Sequence, residues 1–145
     1  MSRDVLTIPV DVYEAMLAHC VADAPLEACG LLGGVFPRAE LFYPMANSEK
    51  SETRYNADPH DLIRAVQDLR KREAEILAIY HSHPRWEPVP SKADLSMNYC
   101  DDTPRIIVSL LTDPPEVGVW RLKADSYEKI AWRVERVIRS VTESP

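Results

Sequence analysis

Residues 76–94 read ILAIYHSHPRWEPVPSKAD and contain the strongest structural and chemical signal in the chain. The apolar run at the start of this segment predicts a central β-strand, which leads directly into His81 and His83. Because residues i and i+2 of a strand point to the same side, the two imidazoles are expected to project together. The proline that follows stops the strand, so the histidine pair should lie where the sheet opens to solvent. Ligand pockets of α/β folds are often found at such strand ends.

Two histidines and a nearby carboxylate make a candidate metal site. Asp94 is expected in the first turn of a helix that Ser91 begins, from where its carboxylate could return to the ion as an oxygen ligand. Three protein ligands of the types His, His and carboxylate leave one tetrahedral position of a zinc ion open, which is typical of catalytic zinc sites. The pattern therefore predicts Zn²⁺ held by His81, His83 and Asp94. A water molecule at the open position would have its pKa lowered from 15.7 toward about 7.

Such a site also needs a base, and Glu27 is the best candidate. A catalytic base of this kind should be a partly buried carboxylate, because desolvation raises its pKa toward the working range. Glu27 directly precedes an apolar strand bounded by glycines, where a solvated glutamate is less expected. Spacing along the sequence does not by itself bring Glu27 to the metal.

Each of these residues also has an ordinary structural interpretation. Histidines at strand ends are commonly half-buried hydrogen-bonding groups, and a single glutamate is most often a surface residue. Ser91 and Asp94 have the spacing of a capping box, in which the serine caps a helix and the acid bonds back to the backbone. The capping and metal-binding interpretations are compatible for Ser91, but they compete for the Asp94 carboxylate.

The pattern of the whole chain predicts an α/β fold. Successive segments are interpreted as a helix at 10–21, strands at 27–35 and 39–45, an exposed loop at 47–56, a helix from Asp58 and Pro59, a strand at 76–80, a helix at 91–99, and strands at 106–111 and 117–122. The segment at 127–137 is interpreted as a strand because its apolar residues alternate, and its charge content leaves a helix as the alternative. This order predicts an α-β-α sandwich around a mixed, curved sheet. The length of 145 residues predicts a single domain over residues 1–145.

Composition excludes several classes of protein. Hydrophobic residues make up 46% and charged residues 28% of the chain, which is typical of a folded globular protein. Seventeen basic and twenty-three acidic residues give a net charge of −6, so a nucleic-acid partner is not expected. Apolar runs fall short of the roughly 18 residues that span a membrane, and the start of the chain lacks the core of a signal peptide. We therefore expect a cytoplasmic protein without a membrane partner.

The three cysteines are expected to be reduced. Cys20, Cys29 and Cys100 are odd in number and widely spaced, whereas a disulfide scaffold shows a dense and even set. None has a local sign of the base that a cysteine nucleophile needs.

The joint pattern resembles the JAMM/MPN+ family of zinc metalloproteases. The family motif is Glu, then His-x-His-Pro, six residues, Ser, two residues and Asp, and every position is present here at that spacing. The resemblance covers roughly residues 5–122 and implies the JAMM/MPN fold, which is similar to that of cytidine deaminases. It implies that His81, His83 and Asp94 bind one zinc ion. It also implies that Glu27 acts as general base and acid, and that Ser91 donates a hydrogen bond to the oxyanion.

The resemblance also implies a substrate class. Family members hydrolyse peptide or isopeptide bonds after the C-terminal glycines of ubiquitin or ubiquitin-like proteins. The loop at 47–56 corresponds to an insertion that pairs with this tail in the family, and here it is short, as is the later insertion region near 98–105. The compact form is more similar to prokaryotic relatives that act on ubiquitin-like sulfur-carrier proteins. Trp86 is a candidate for lining the cleft, with a plain packing role as the alternative.

Two other functions stay open from the sequence. One is a non-catalytic MPN-fold scaffold that binds a partner in its groove, which the intact ligand set argues against. The other is a zinc amidohydrolase that acts on a small molecule, although the nucleobase deaminase signature is absent. The sequence is also compatible with a homodimer.

Overall fold

The structure is a computed structural model that describes residues 4–96 and 102–136. Its elements, in chain order, are β1 (Leu6–Pro9), α1 (Val10–Asp23), β2 (Cys29–Val35), β3 (Arg38–Met45), α2 (Pro59–Lys71), β4 (Glu75–His83), α3 (Lys92–Ser96), β5 (Arg105–Ser109), β6 (Glu116–Leu122), β7 (Tyr127–Lys129) and β8 (Trp132–Glu135).

The eight strands form one mixed sheet in the order β7-β6-β5-β4-β2-β3-β1-β8. β1 pairs in parallel with β3 and β8, and β4 pairs in parallel with β5, while the remaining neighbours are antiparallel. β7 and β8 lie at opposite ends of this order, yet only residues 130 and 131 separate them in the chain. Two extended residues span only about 10 Å between flanking Cα atoms, so the sheet must curve until its edges approach. The predicted mixed, curved sheet is confirmed.

Helices cover both faces of the sheet. α1 packs on one face, in a core that includes Met16, Leu32 and Tyr80. The opposite face carries α2, which packs on Leu31 and its neighbours, and a further cluster around Ile107 that includes Leu95 of α3. Because alternate strand residues point to opposite faces, consecutive leucines of β2 serve both cores. The predicted α-β-α sandwich is therefore confirmed.

Local signals account for several of the element boundaries. α2 begins as the sequence indicates, since the Asp58 carboxylate accepts hydrogen bonds from the backbone N–H groups of His60 and Asp61, and Pro59 occupies the first turn. β4 continues beyond the predicted strand, up to His83. The helix expected over 91–99 is seen as α3, and residues 97–101 lie outside the described part of the chain.

Two parts of the sheet differ from expectation. β1 is not predicted, because it has only four residues and runs directly into α1. The segment at 127–137 is not one strand but two short ones, of which β7 pairs with β6 and β8 pairs with β1 at the other edge. The strand interpretation of this segment is right, and its continuity is wrong, because the segment crosses between the edges of the curved sheet.

Two expectations about the chain's chemistry can be compared directly with the fold. The structure shows Cys20 and Cys29 as buried free thiols, and burial raises the pKa of each to about 12, so neither is a thiolate nucleophile near neutral pH. Cys100 lies outside the described residues. Within the described part of the chain, no helix has the length and apolarity needed to cross a bilayer.

Candidate active site

The two predicted histidine ligands lie at the carboxyl end of β4, on the face that carries α2 and α3. His81 and His83 are each 1% exposed, and their Nε2 atoms are 3.2 Å apart. Nδ1 of His83 lies 2.7 Å from the carbonyl oxygen of Glu87, to which its N–H donates. That bond directs the Nε2 lone pair of His83 toward His81. Metal-binding histidines are usually oriented by a hydrogen bond of this kind on the other ring nitrogen.

His81 is held in a different way. Its Nδ1 atom is buried and has no hydrogen-bond partner among the described residues. The ring instead stacks on Tyr55, with ring centroids 4.5 Å apart and an angle of 20° between the planes. Tyr55 was not predicted as a site residue. The only sequence signal for it is an aromatic side chain within the polar loop at 47–56.

Asp94 completes the group that the sequence predicted. Its Oδ1 atom lies 3.1 Å from Nε2 of His81, and its Oδ2 atom lies 3.1 Å from Nε2 of His83. The residue is 7% exposed, so the carboxylate and both imidazoles are shielded from solvent together. The tertiary structure thus brings the three predicted ligand side chains into direct contact.

The competition expected for the Asp94 carboxylate does not arise. The backbone N–H of Ser91 donates to Oδ2 of Asp94 at 2.9 Å, and the backbone N–H of Asp94 donates to Oγ of Ser91 at 3.0 Å. This is a closed capping box, formed while the same carboxylate faces both histidines. A carboxylate has two oxygens and about four lone-pair positions, which is enough for both tasks.

The donor set fits a divalent metal ion. One ligand atom from each of His81, His83 and Asp94 can be chosen so that all three lie within 4.8 Å of one another. Bonds of 2.0–2.1 Å to a tetrahedral zinc ion would place neighbouring ligand atoms about 3.3–3.4 Å apart. The two Nε2 atoms are 3.2 Å apart, close to this value, and each lies 3.1 Å from one of the two Asp94 carboxylate oxygens.

In the metal-free protein, electrostatics favour the metal-binding forms of Asp94 and His81, whereas His83 has a raised pKa. Burial would raise the pKa of Asp94, but the adjacent histidines and the Ser91 N–H outweigh it, and the pKa lies below the ordinary value. Burial lowers the pKa of His81 despite the neighbouring carboxylate. Burial has the same tendency at His83, but the hydrogen bonds to Asp94 and the Glu87 carbonyl outweigh it and raise the pKa. An ionised Asp94 and a neutral His81 are the forms that coordinate metals.

Glu27 is buried beside this cluster and is not the surface residue of the alternative interpretation. It is 2% exposed, and its Oε1 atom has no hydrogen-bond partner among the described residues. Burial, together with the charge of Asp94, raises the pKa of Glu27 to about 8, and His83 opposes this shift. A carboxyl group with a raised pKa and a free oxygen is suited to accept and return a proton near neutral pH.

The backbone on both sides of Glu27 is anchored. Its N–H donates to the carbonyl oxygen of Ser51 at 2.8 Å, and its own carbonyl accepts from Nδ2 of Asn47 at 3.0 Å. The N–H of the next residue, Ala28, donates to Oγ of Ser82 at 2.8 Å. Ser82 lies between the two histidines and faces away from them, so the strand that carries the ligands also positions the glutamate. Neither Asn47 nor Ser82 was predicted as a site residue, because their partners are remote in sequence.

A solvent-accessible cleft of about 290 Å³ opens onto this site. Its lining consists of Glu27, Thr53, Arg54, His83, Trp86, Ser91, Lys92 and Ala93. Trp86 is 56% exposed, so it lines the cleft and is not packed in the core. The Ser91 hydroxyl accepts a hydrogen bond from Asp94 but donates to no acceptor in the described part of the chain, so its proton is available to a ligand.

A larger cavity of about 400 Å³ lies between β6 and the β7–β8 connection. Trp120, Ile130 and Trp132 contribute to its lining, and none of the five predicted site residues does. The chemistry therefore belongs to the smaller cleft.

Comparison with known proteins agrees with this fold. Residues 9–123 match the Prok-JAB family, the prokaryotic homologs of the JAB domain, and the chain belongs to this family. The resemblance to a small prokaryotic JAMM/MPN protein is thereby confirmed. The chain is 36% identical over 107 residues to a CysO-cysteine peptidase of Mycobacterium tuberculosis, and the aligned segment covers 72% of this chain and 73% of the relative. It is 38% identical over 92 residues to a probable TtuB-protein conjugate cleaving protease of Thermus thermophilus, covering 63% and 62% of the two chains.

Solved structures show the same fold. The solution structure of a Desulfitobacterium hafniense protein superimposes with a TM-score of 0.81 at 29% identity, covering 91% of this chain and 94% of the other. A JAB1/MPN domain protein from Archaeoglobus fulgidus superimposes with a TM-score of 0.62 at 18% identity, covering 90% and 98%. The second similarity is one of fold alone.

Proposed function

We propose that this protein is a zinc-dependent peptidase or isopeptidase that hydrolyses the bond after the C-terminal diglycine of a ubiquitin-like or sulfur-carrier protein. The observation that carries the proposal is the convergence of His81, His83 and Asp94 beside the buried Glu27, whose Oε1 atom has no hydrogen-bond partner among the described residues, at one open cleft. The names of the relatives in Mycobacterium and Thermus support the substrate class.

His81, His83 and Asp94 hold the zinc ion in this proposal. When bound, zinc would polarise the substrate carbonyl and lower the pKa of a water molecule. The hydrogen bond of His83 to the Glu87 carbonyl and the stacking of His81 on Tyr55 keep both rings in place. The site therefore needs little rearrangement to bind the ion.

Glu27 is the general base and then the general acid. Its free Oε1 atom accepts the proton of the attacking water molecule and later returns it to the nitrogen of the leaving group. In the metal-free protein, burial raises the pKa of this carboxyl from its ordinary value of 4.5 to about 8, which suits a group that takes up and gives back a proton.

Ser91 stabilises the charge that develops on the carbonyl oxygen. Its oxygen is held by the Asp94 N–H, which leaves the hydroxyl proton free to be donated into the cleft. Removing one donor of this type from an active site typically lowers the rate by about 10²–10³-fold.

The test is hydrolysis of two substrates that the relatives' names supply, CysO-cysteine and a TtuB–protein conjugate. We expect the protein to cleave at least one of them, chelation to abolish cleavage, and added zinc to restore it. Glu27→Gln should lower kcat by more than 100-fold while zinc binding is retained. Glu14→Gln, the same change at an exposed position on α1, is the matched control and should leave kcat unchanged.

The other two functions predict different results. A protein that binds no zinc and cleaves neither substrate would be a scaffold. A protein that binds zinc and needs Glu27 for a small amide, yet leaves both carrier proteins intact, would be a small-molecule amidohydrolase. Cleavage that ignores both the chelator and Glu27→Gln would defeat the mechanism.

The proposal extends to the organisation of the protein. We expect residues 1–145 to act as one catalytic domain in the cytoplasm, and the homodimer stays a prediction from the sequence. Limited proteolysis checks the first expectation, localisation of the tagged protein the second, and sedimentation velocity the third.

A further inference from the structure

Two cationic side chains at the cleft have no carboxylate partner among the described residues. Arg54 and Lys92 are exposed, line the cleft, and form no ion pair with any residue in the ranges 4–96 and 102–136. Some other arginines of the protein are paired with carboxylates, such as Arg64 with Asp61 at 2.8 Å and Arg72 with Asp68 at 2.8 Å. In a chain with a net charge of −6, unpaired cations at the entrance of the candidate site favour an anionic ligand.

The backbone of Arg54 is held close to the backbone of the proposed base. The side-chain nitrogen Nδ2 of Asn47 donates to the carbonyl oxygens of Glu27 at 3.0 Å and of Arg54 at 2.9 Å. Two oxygens that bind the same nitrogen lie within about 6 Å of each other. Asn47 is 8% exposed, so this connection is shielded from water. The position of Arg54 relative to Glu27 is therefore set by the fold, although its guanidinium is in solvent.

The loop that carries Arg54 also contacts the segment that follows β4. Glu52 and Arg85 form an exposed ion pair at 3.3 Å, which joins the loop at 47–56 to the segment after β4. Trp86 follows Arg85 and lines the cleft. This pair occupies Arg85, so Arg54 and Lys92 are the cations left to meet a ligand.

We propose that Arg54, with Lys92, binds the free α-carboxylate of a single residue that follows the diglycine, so that this protein removes one C-terminal residue in preference to cutting an isopeptide bond. The inference rests on the proposed function. One extended residue spans only about 3.3–3.6 Å, so the carboxylate of a single leaving residue stays next to the base. A lysine side chain in an isopeptide places methylene groups there instead.

The chemistry of arginine suits this task. A guanidinium presents two parallel N–H donors that match the two oxygens of a carboxylate, while the ammonium of Lys92 adds charge without that geometry. A hydrogen bond to a charged group is typically worth about 1.5–3 kcal/mol. Loss of the Arg54 contact should therefore weaken recognition of the carboxylate by roughly 10- to 100-fold.

The test compares CysO-cysteine with the same protein ending in cysteinamide, which lacks the negative charge but keeps the bond to be cut. We expect the native protein to have a kcat/KM about 10- to 100-fold higher for the acid. Arg54→Gln should remove most of this ratio by slowing cleavage of the acid alone, and Arg54→Lys should keep part of it. Arg70→Gln is the matched control, since Arg70 is exposed, unpaired in the described part of the chain, and outside the cleft.

Direct binding separates recognition from chemistry. In the Glu27→Gln background, the zinc-loaded protein should bind CysO-cysteine about 10-fold or more tightly than the amide, and Arg54→Gln should equalise the two Kd values. Equal kcat/KM for acid and amide, or faster cleavage of the TtuB–protein conjugate with no need for Arg54, would overturn the inference and leave the proposed function intact. Failure to cleave any of the three substrates would instead reject the proposed function.

Discussion

Glu27 is buried and has a carboxyl oxygen without a hydrogen-bond partner in the described part of the chain. Leaving a buried polar group without a partner typically lowers the free energy of unfolding by about 1–3 kcal/mol. A residue of this kind destabilises the fold, and it is expected where function requires it. The site therefore retains a group that the fold alone would not select.

The pKa of Glu27 predicts a pH-dependent stability of the metal-free protein. Because the pKa rises from 4.5 to about 8 on folding, the folded state keeps a proton that the unfolded state releases between these values. The contribution of Glu27 to stability is thus lost progressively as the pH rises from about 4.5 to about 8. Glu27→Gln should be more stable than the native chain by roughly 1–3 kcal/mol at pH 8 and by much less at pH 5.

Urea unfolding of both proteins in the presence of chelator measures this difference. If Glu27→Gln raises the free energy of unfolding equally at pH 5 and pH 8, Glu27 is not protonated in the folded metal-free protein as assigned.

Asn47 positions the backbone of the residues around it, including that of Glu27. Its Nδ2 donates to two carbonyls, and its Oδ1 accepts from the backbone N–H groups of Glu49 and Asn56 at 3.0 Å each. Asn47→Ala should cost roughly 2–3 kcal/mol of stability and lower kcat about 10-fold or more, because Glu27 loses its anchor. Asn47→Asp keeps the acceptor and loses both donors, so it should lower kcat while it costs less stability.

Asn56→Ala provides the matched control for this prediction, since its side chain is exposed and only its backbone is bonded to Asn47. Thermal unfolding and steady-state kinetics measure the two effects. A native kcat in Asn47→Ala would show that Glu27 is positioned without the amide.

At the scale of the elements, the pairing of β2 with β4 places the base next to the metal ligands. Cys29 pairs with His81, and Gly30 pairs with Tyr80, in the antiparallel ladder between these strands. A Cβ atom at Gly30 would lie 2.5 Å from the carbonyl oxygen of Tyr43 and 2.5 Å from the ring of Tyr80. The ladder can close at this register only because residue 30 has no side chain.

Gly30→Ala should therefore destabilise the protein by at least about 2–3 kcal/mol, because a backbone atom and a buried ring must both move. Gly33→Ala is the comparison within the same strand, where the nearest atom at 2.5 Å is Cδ2 of Leu69, a flexible side-chain end. We expect Gly33→Ala to be the milder change. Chemical denaturation of the two variants tests this order, and equal losses would mean that the β2–β4 register is not limited by space at Gly30.

At the scale of the whole molecule, the metal site connects segments that the hydrophobic cores already hold together. His81 and His83 belong to β4 and Asp94 to α3, while the main apolar clusters form without any of the three. The metal-free protein should therefore be folded, and metal binding should add stability by mass action. A ligand at 100 times its Kd adds about 2.7 kcal/mol.

Zinc should accordingly raise the Tm of the native protein and have no effect on His81→Ala, which should stay folded but bind no metal. His60→Ala is the control, since His60 is an exposed histidine at the start of α2. Differential scanning calorimetry with measured zinc content tests the prediction. Wholesale unfolding of His81→Ala would show that the site is structural.

The sequence by itself determined the features that depend on near neighbours. The start of α2, the end of β4 at Pro84, and the projection of His81 and His83 to one side follow from capping, proline geometry and strand alternation. The capping box between Ser91 and Asp94 could be predicted for the same reason, because the two residues are only three positions apart. The α/β class could be predicted from the order of the segments. Glu27 is a candidate base from its sequence context, and only the resemblance to the family predicted that it lies beside the metal ligands.

Only the tertiary structure decided which remote groups meet. Contacts between segments remote in sequence produce the anchoring of the Glu27 segment by Asn47 and Ser82 and the stacking of Tyr55 on His81. They also place Arg54 at the cleft. The pairing of β1 with β8 at the sheet edge is of the same kind. Local propensity and periodicity predict the conformation of a segment and the face that it buries. The contacts between remote segments depend instead on the register and curvature of the assembled sheet.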